Sequence, residues 1–216
     1  INLGQIVQSN ALSFFHLSSP DLLFGFDADM SKRHILGVAQ ENPQLALDGI
    51  SLRKWGQQII ERLGGKRIHP GGVIPGGVAD PLTEEVRDAI LAGAPEALEQ
   101  IQRTIKWYKE HMLGWEEEAA HFGNFRSAFM GLVDEKGNVD HYGGHLRFVD
   151  ADGSVLEDRV EPRDFNDYIG EAVEPWSYLK STYYKPMGYP DGIYRVGPLA
   201  RMNVAEACGT PRADEE

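Results

Sequence analysis

The spacing of hydrophobic residues in this 216-residue chain changes once, near Gly123-Asn124, and that change limits the folds open to it. Upstream, apolar residues recur every three or four positions, as they do along one face of a helix. Downstream, short apolar stretches separated by turn residues predict β-strands. Helices thus flank a small antiparallel sheet, and we predict an α+β fold that is mainly α, with long packed helices.

Two helices are predicted in the first part of the chain. Residues 1–24 have a partly helical spacing that Ser19-Pro20 stops or kinks. The second helix has a clear apolar stripe, and Gly64-Gly65 ends it because glycine is favoured just beyond a helix. The next segment, 69–78, is so rich in glycine and proline that we expect no regular structure there.

A third, long helix is predicted to begin after Thr83, whose hydroxyl caps the first turn. Gly93 interrupts the pattern and Pro95 restarts it, in a helix that reaches about His121. The apolar residues of this helix step by three and four positions, so we expect them to pack against other helices. They are Leu98, Ile101, Ile105, Tyr108 and Met112.

The sheet is predicted from four short segments, with turns at 134–138 and 150–153. A short helix around 165–169 and a last helix after Gly197-Pro198-Leu199 complete the pattern. The predicted strands are 125–133, 139–142, 145–149 and 154–160. We expect a single domain over 1–216, which is mainly helical at 1–124, stranded at 125–162, and made of loops and a helix at 163–216.

Charge and cysteine content exclude several classes of function. The formal charge is −12, whereas nucleic acids and anionic membranes bind cationic faces, so neither is expected as a partner. No apolar stretch approaches the ~20 residues of a membrane-spanning helix. The single cysteine excludes an internal disulfide and a cysteine-only metal site. The first residues carry no signal-peptide pattern, and an acidic chain without a signal fits the cytoplasm.

Isolated chemical candidates each have a plainer structural alternative. His141 and His145 could bind a metal from one face of a strand, but the glycines between them favour a bulge. The aspartates of 150–154 resemble a calcium loop that lacks its glycine, and a hairpin turn explains them better. Cys208 could be a nucleophile, but with no nearby histidine a half-buried thiol is the better interpretation.

Two segments are less easily explained as ordinary turns. The loop at 65–78 contains prolines and glycines that permit a close backbone approach to a cofactor or a partner subunit. Its alternative is a rigid turn between helices. The segment 194–201 places two arginines around an apolar turn that opens a helix, and its alternative is a capped turn with surface cations.

Taken together, these segments resemble the large subunit of nickel–iron hydrogenases. His69-Pro70 followed by Pro75-Gly76-Gly77-Val78 resembles the HP…PGG motif of that family, and Gly197-Pro198-Leu199-Ala200-Arg201 resembles its GPLAR motif. Residues 8–21 are similar to the helix that runs beside the metal centre, and residues 183–192 to the soluble, NAD-reducing branch. The resemblance rests on the order of these segments and on their spread over residues 1–201.

The resemblance implies the middle of such a subunit, because the family binds nickel and iron through two C-x-x-C motifs that this chain lacks. We therefore expect the nickel–iron centre in a longer parent protein, and no cofactor or metal ligand in this chain. The parent would be an oxidoreductase that splits H2 and passes electrons through iron–sulfur clusters towards NAD. The implied partners are the small iron–sulfur subunit and a flavin-containing diaphorase module.

The same resemblance implies residues that hydrogen-bond and orient groups around the centre without binding metal. His16, His69 and Arg201 match motif positions and are the stronger candidates. Ser9 and Asn10 are the weaker ones, because many membrane-type relatives carry a His-Asp-His triplet where this chain has no acid.

Two other functions stay open. The chain could be a subunit of a quinone-reducing electron-transfer complex, related to hydrogenases through complex I but without their cysteines. It could also be a non-catalytic assembly domain, which the missing metal ligands favour. If it is part of a larger subunit, its exposed apolar surface predicts self-association or marginal stability, and we expect neither hydrogen uptake nor stoichiometric nickel.

Overall fold

The computed structural model describes all 216 residues and divides them into two compact units. We call Ile1–Ala119 the helical unit and Ala120–Glu216 the sheet unit. The helical unit contains a single pair of two-residue strands, whereas the strands of the sheet unit form two small sheets. None of the helices combines the length and the apolar character needed to cross a membrane. The single domain expected over 1–216 stays a prediction.

The first predicted helix is confirmed, but its turns differ along its length. Its elements are α1 (Asn2–Leu12), a π-helix that we call π1 (Ser13–Ser18), and α2 (Ser19–Phe24). Ser19-Pro20 begins α2 directly after π1 instead of ending the helix. Gly25 ends the stretch in a positive-φ conformation (φ 87°).

The second predicted helix is also confirmed. After α3 (Ile35–Glu41), helix α4 (Pro43–Gly64) ends where Gly65 adopts the left-handed conformation (φ 78°). The expectation of no regular structure at 69–78 is wrong, because β1 (Val73–Ile74) and β2 (Gly77–Val78) pair as a short antiparallel hairpin. Gly76 makes its tight turn possible at φ 93°.

The third predicted helix begins as expected and then differs. Thr83 caps α5 (Glu84–Met112), since its hydroxyl accepts the Val86 N–H at 3.3 Å. The helix runs unbroken through Pro95, so the predicted restart there is wrong. Pro95 is tolerated because it lies on an exposed face, where the Leu91 carbonyl that loses its partner can bond water. The predicted end near His121 is also wrong, because a separate helix, α6 (Glu116–His121), follows a turn.

The apolar stripe of α5 is less covered than predicted. Leu98, Ile101 and Tyr108 remain exposed. The helix is rotated so that the residues one position earlier are buried, and the Thr104 hydroxyl donates to the Gln100 carbonyl at 2.8 Å. Small or hydrogen-bonded side chains on the inner face let α5 lie close to its neighbours. The buried residues of α5 are Ala97, Gln100 and Thr104.

The sheet unit contains a four-stranded sheet and a separate hairpin. Its elements are β3 (Ala128–Val133), β4 (His145–Val149), β5 (Val155–Val160), α7 (Phe165–Tyr168), β6 (Ile169–Val173), β7 (Lys180–Tyr184), β8 (Tyr194–Arg195), α8 (Pro198–Val204) and α9 (Pro211–Glu215). The four strands lie in the order β5-β4-β3-β8, and only the β3–β8 pair is parallel. Phe148, which is fully buried, packs against Tyr184 and Tyr194 at the core.

Three of the four predicted strands are confirmed, as are both turns and the short helix before β6. The strand predicted at 139–142 is wrong, because the carboxylate of Asp140 accepts the N–H groups of Tyr142 and Gly143 in a tight turn. The apolar spacing did not predict β6, β7 or β8. Strand β8 is only two residues long and depends on a parallel partner distant in sequence, which local spacing does not report.

Candidate functional site

The π-helical segment at the middle of the first helical stretch is the most unusual backbone in the helical unit. Side-chain hydroxyls support it: Ser18 donates to the Ser13 carbonyl at 3.2 Å, and the buried Ser19 hydroxyl donates to the Phe15 carbonyl. Such wide turns inside α-helices occur often at functional sites, because they redirect side chains that a regular helix would stack. The side chains of π1 are therefore candidates.

Glycines bring this stretch into close contact with α4. A Cβ atom on Gly49 would lie 2.4 Å from Cβ and Cγ of Phe15, and one on Gly56 would lie 2.8 Å from the backbone nitrogen of Gln8. No larger residue fits at either position without movement, so the two backbones approach as closely as sterics allow. Segment π1 is thereby fixed against α4.

His16 of π1 and Arg53 of α4 each have one buried nitrogen without a hydrogen-bond partner near this contact. Nδ1 of His16 and Nε of Arg53 are both buried and make no hydrogen bond. Burial, and then the positive charge of Arg53, lowers the pKa of His16 below its ordinary value. The imidazole is therefore neutral at pH 7, with one donor and one acceptor nitrogen. Buried polar atoms normally have partners, so this pair is suited to orient a further polar group.

Ser9 and Asn10 lie on α1, and both are exposed. Asn10 stands at an apolar groove of about 390 Å³, whose other walls include Phe14, Ile101 and Tyr108. The exposed residues of the α5 stripe therefore line a groove. The structure gives Ser9 and Asn10 less support as site residues than it gives His16, because they are open to solvent.

His69 lies in the loop after α4, where it is exposed and adopts a left-handed conformation (φ 52°). The loop folds back on the end of the helix. A Cβ on Gly64 would lie 2.4 Å from Cβ of Pro70, and the Gly71 N–H donates to the Gly64 carbonyl at 3.1 Å. The close backbone approach expected of this loop is thus made to α4, which agrees with the alternative of a rigid turn.

Arg201 lies on α8 in the sheet unit. Gly197 (φ 84°) and Pro198 start that helix, and the Arg201 N–H donates to the Gly197 carbonyl at 3.0 Å. The Arg201 guanidinium is half-buried beside His141, and burial, followed by this positive charge, lowers the pKa of His141. A neutral histidine and a cation therefore lie together at this edge of the sheet unit.

Arg147, which the sequence analysis did not single out, secures α8. From β4 it donates to both oxygens of Asp158, at 2.8 and 3.1 Å, and to the Val204 carbonyl at the end of α8, at 3.2 Å. Glu206 adds a longer contact at 3.4 Å. Arg147 thus holds the helix that carries Arg201. The sequence did not indicate this role, because Arg147 and Asp158 are eleven residues apart. The pairing of β4 with β5 brings them together.

No protein-family model matches the chain. All of it aligns, at 42% identity, with 51% of the length of one subunit of the F420-non-reducing hydrogenase vhu of Methanocaldococcus jannaschii. It is also 37% identical, over 98% of its length and 44% of the relative, to the NAD-reducing hydrogenase HoxS subunit beta of Cupriavidus necator. The chain is a homologue of hydrogenase subunits.

Solved structures agree with this homology. A chain in the crystal structure of NAD+-reducing NiFe hydrogenase in the H2-reduced state superposes with a TM-score of 0.93 at 40% identity, covering 98% of this chain and 47% of that one. The Ni-Fe-Se hydrogenase of D. vulgaris Hildenborough gives a TM-score of 0.65 at 18% identity, which shows the fold alone. The predicted fold, mainly helical α+β and part of the hydrogenase large-subunit fold, is confirmed. The chain spans about half the length of the relatives it matches.

The side chains of this hydrogenase homologue do not fit a nickel–iron centre. Such a centre suits thiolate ligands, whereas the chain has one cysteine, Cys208, whose N–H donates to the Asp214 carboxylate at 2.6 Å. No group of three or more His, Cys, Asp or Glu side chains is arranged to hold a metal ion. His145 faces Glu161 at 3.1 Å.

The five predicted site residues are distributed over both units. Ser9, Asn10 and His16 share the first helical stretch, His69 follows α4 in the same unit, and Arg201 belongs to the sheet unit. Arg53, the neighbour of His16, was missed by the sequence analysis. It lies four residues after Gly49, on the same face of α4, but only the contact at Gly49 shows that this face meets π1.

Proposed function

We propose that this hydrogenase homologue is the central, ligand-free part of the large subunit of a nickel–iron hydrogenase. The complete protein would oxidise H2 reversibly and pass electrons through iron–sulfur clusters towards NAD. Its metal ligands would come from the half of the relatives' length that this chain does not match. On its own, the chain would be inactive and would hold no cofactor.

The likeness to the NAD+-reducing hydrogenase carries this proposal. It extends over 98% of the chain with a TM-score of 0.93, so the matched stretch includes residues of both units. A likeness confined to one motif would support only a shared loop. A likeness over the whole chain instead supports the same place within a subunit. The sequence relative with the HoxS name is likewise NAD-reducing.

Among the predicted site residues, His16 has the strongest geometric support for a role beside the metal centre. It belongs to π1, which packs against α4 through Phe15, and burial and Arg53 lower its pKa, so that its neutral imidazole can hold or pass a proton there. We propose orienting or hydrogen-bonding roles for His69 and Arg201 as well, and weaker ones for Ser9 and Asn10. None of the five would bind metal.

The proposal also includes partners and a location. The relatives are named as subunits, which supports a heteromeric complex. We propose the small iron–sulfur subunit as the direct partner and a flavin diaphorase module as the next carrier, in the cytoplasm. The charge of −12 supports protein partners over nucleic acid or an anionic membrane surface.

A second candidate differs in the electron acceptor. Two F420-non-reducing relatives are 42% and 39% identical to this chain, which is close to the 37% and 40% of the two NAD-reducing matches. The complete protein could therefore be a hydrogenase whose electrons go to an acceptor other than NAD. The predicted site residues would be unchanged, because they concern the metal centre and not the acceptor.

The test is an acceptor assay on the complete protein purified with its partner subunits. We expect H2-dependent reduction of both benzyl viologen and NAD+. Reduction of viologen but not NAD+ would support the second candidate. Binding of a quinone analogue without any hydrogen oxidation would replace both with a quinone-reducing complex. A nickel-free protein with neither activity would indicate an assembly domain.

A further inference from the structure

Helix α4 buries a carboxylate that the proposed function does not use. Asp48 is only 3% exposed. From α5, Arg103 donates to both of its carboxylate oxygens, at 2.8 and 3.2 Å, and Gln44 of α4 donates at 2.9 Å. A buried ion pair seldom adds stability beyond that of well-packed apolar residues, so its value can lie in fixing one arrangement of the helices.

The bond from Arg103 fixes how α4 is turned about its axis. Nε and a terminal nitrogen of the guanidinium bond different oxygens of Asp48, and a two-point bond of this kind fixes direction as well as distance. This hydrogen bond is also the main cause that raises the pKa of Arg103. Asp48 is directly followed by Gly49, so the side of α4 that α5 holds lies next to the side that meets π1.

A turn of α4 about its axis would disturb His16. A Cβ on Gly49 would lie 2.4 Å from Phe15, so rotation that brings a neighbouring side chain to this point would push π1 away. His16 directly follows Phe15 in π1, and Arg53 lies one turn after Gly49 on α4. The contact at Gly49 therefore sets both how deeply His16 is buried and how near Arg53 lies to it.

An apolar core shared by the three elements continues this path. Phe15 of π1, Leu52 of α4 and Ala97 of α5 belong to one cluster of buried side chains. Close-packed interiors have little free volume, so a displacement of one member is transmitted to the others. A change in how α5 holds α4 would thus reach π1 through packed side chains as well as through the contact at Gly49.

We propose that Asp48 and Arg103 are positioning residues for His16, which act on it through Gly49 and Phe15. They act by position and not by charge, because the causes that lower the pKa of His16 are burial and the charge of Arg53. The inference rests on the proposed function, which gives His16 a role beside the metal centre.

The test replaces Asp48 by an amide of the same size in the complete large subunit and follows the imidazole of His16 by NMR. Removal of a negative charge would by itself lower the pKa of a nearby histidine. Loss of position would instead admit water and displace Arg53, both of which raise that pKa towards its ordinary value. We therefore expect an upward shift in Asp48→Asn, the direction that the change of charge does not give.

Two controls separate this shift from other effects. Glu61→Gln removes a 43% exposed acid from the same helix and should leave the pKa of His16 unchanged. Thr83→Ala removes the cap of α5 and should raise the unfolding equilibrium constant about fivefold, again without a change at His16. Arg103→Lys keeps the charge but loses the two-point bond, so we expect a smaller upward shift.

The pH profile of H2 oxidation provides a second measurement, on the complete protein with its partner subunits. Its acidic limb should move to higher pH in Asp48→Asn, because His16 is then protonated at higher pH. An unmoved limb would overturn the inference, since the position of His16 would not affect the reaction.

The other outcomes are equally decisive. An unchanged or lowered pKa of His16 in Asp48→Asn would overturn the inference, while wild-type H2 oxidation would leave the proposed function standing. Equal shifts in Asp48→Asn and Thr83→Ala would also overturn it, because any loosening of the helices would then act on His16. If Asp48→Asn fails to fold, an unchanged pKa in Arg103→Lys overturns the inference instead. A wild type without hydrogen oxidation would remove the proposed function itself.

Discussion

The helical unit and the sheet unit each press a helix against a neighbour at a glycine, but they secure the contact differently. At Gly49 the neighbour is Phe15, and the adjacent polar side chains, His16 and Arg53, have buried atoms without partners. At Gly131 the neighbour is Val204, and Arg147 donates both to the Val204 carbonyl and to the Asp158 carboxylate on β5. At these two contacts the sheet unit joins its elements with hydrogen bonds from an arginine, whereas the helical unit has two buried polar atoms without partners.

The largest effect is expected from Gly49→Val in the helical unit. Its Cβ would lie 2.4 Å from Phe15, so α4 and π1 must separate, and overpacking of this kind costs up to about 3 kcal/mol. Urea unfolding of the 216-residue chain measures the loss. Gly114→Ala is the matched control, because a Cβ there meets nothing within 4 Å and the change should be neutral or slightly stabilising. Equal stability of the two variants would contradict the close approach.

A smaller loss is expected from Arg147→Met in the sheet unit. The change removes the Arg147 guanidinium from the Val204 carbonyl and from the Asp158 carboxylate, which keeps only the Arg159 N–H at 2.9 Å. Removing one partner of a fully buried ion pair costs 3–5 kcal/mol, but the Asp158 side chain is 37% exposed, so we expect about 2 kcal/mol. Arg163→Met, in an ion pair where the arginine is 81% exposed, should cost less than about 1 kcal/mol. Similar losses of unfolding free energy in both variants would show that Arg147 stabilises the sheet unit no more than an exposed ion pair does.

The ion pair between Arg147 and Asp158 also predicts that wild type and Arg147→Met differ in how their stability changes at low pH. The hydrogen bond from Arg147 lowers the pKa of Asp158 below its ordinary value. This contribution to the free energy of unfolding is present above the unfolded pKa of about 3.9 and is lost as pH falls through the folded value. Wild type should lose more stability than Arg147→Met between pH 5 and pH 3. Parallel losses would mean that Arg147 does not stabilise the ionised carboxylate.

The smallest predicted effect concerns the polar pair of the helical unit. Arg53→Met removes a positive charge beside His16 and should raise the pKa of that histidine towards its ordinary value, although burial continues to lower it. An NMR titration of the imidazole measures the change. Arg62→Met, at an exposed position of the same helix, serves as the control and should leave the titration of His16 where it is. An unchanged pKa of His16 in Arg53→Met would show that the charge of Arg53 does not act on the imidazole.

Local sequence signals predicted the elements whose ends depend on nearby residues. Thr83, Gly65 and Gly197 begin or end helices because a cap or a positive φ is decided within a few positions. These local signals failed where residues far away in the sequence, or the exposure of a helix face, decide the structure. Pro95 stays inside α5 because its face is exposed, and β8 exists because β3 supplies a parallel partner.

The candidate site was only partly predictable for the same reason. His16 could be identified from the resemblance of the first helical stretch to a known family. Its neighbour Arg53 could not, because no spacing reports which face of α4 meets π1. Sequence therefore pointed to candidate residues, whereas the structure identified their neighbours.

The most direct test of the proposed function compares nickel content and hydrogen oxidation in the complete protein and in the 216-residue chain. We expect stoichiometric nickel and H2-dependent dye reduction in the complete protein, and neither in the chain after dialysis against a chelator. A complete protein without nickel or hydrogen oxidation would contradict it. So would nickel that stays bound to the 216-residue chain, because its residues would then hold the centre themselves.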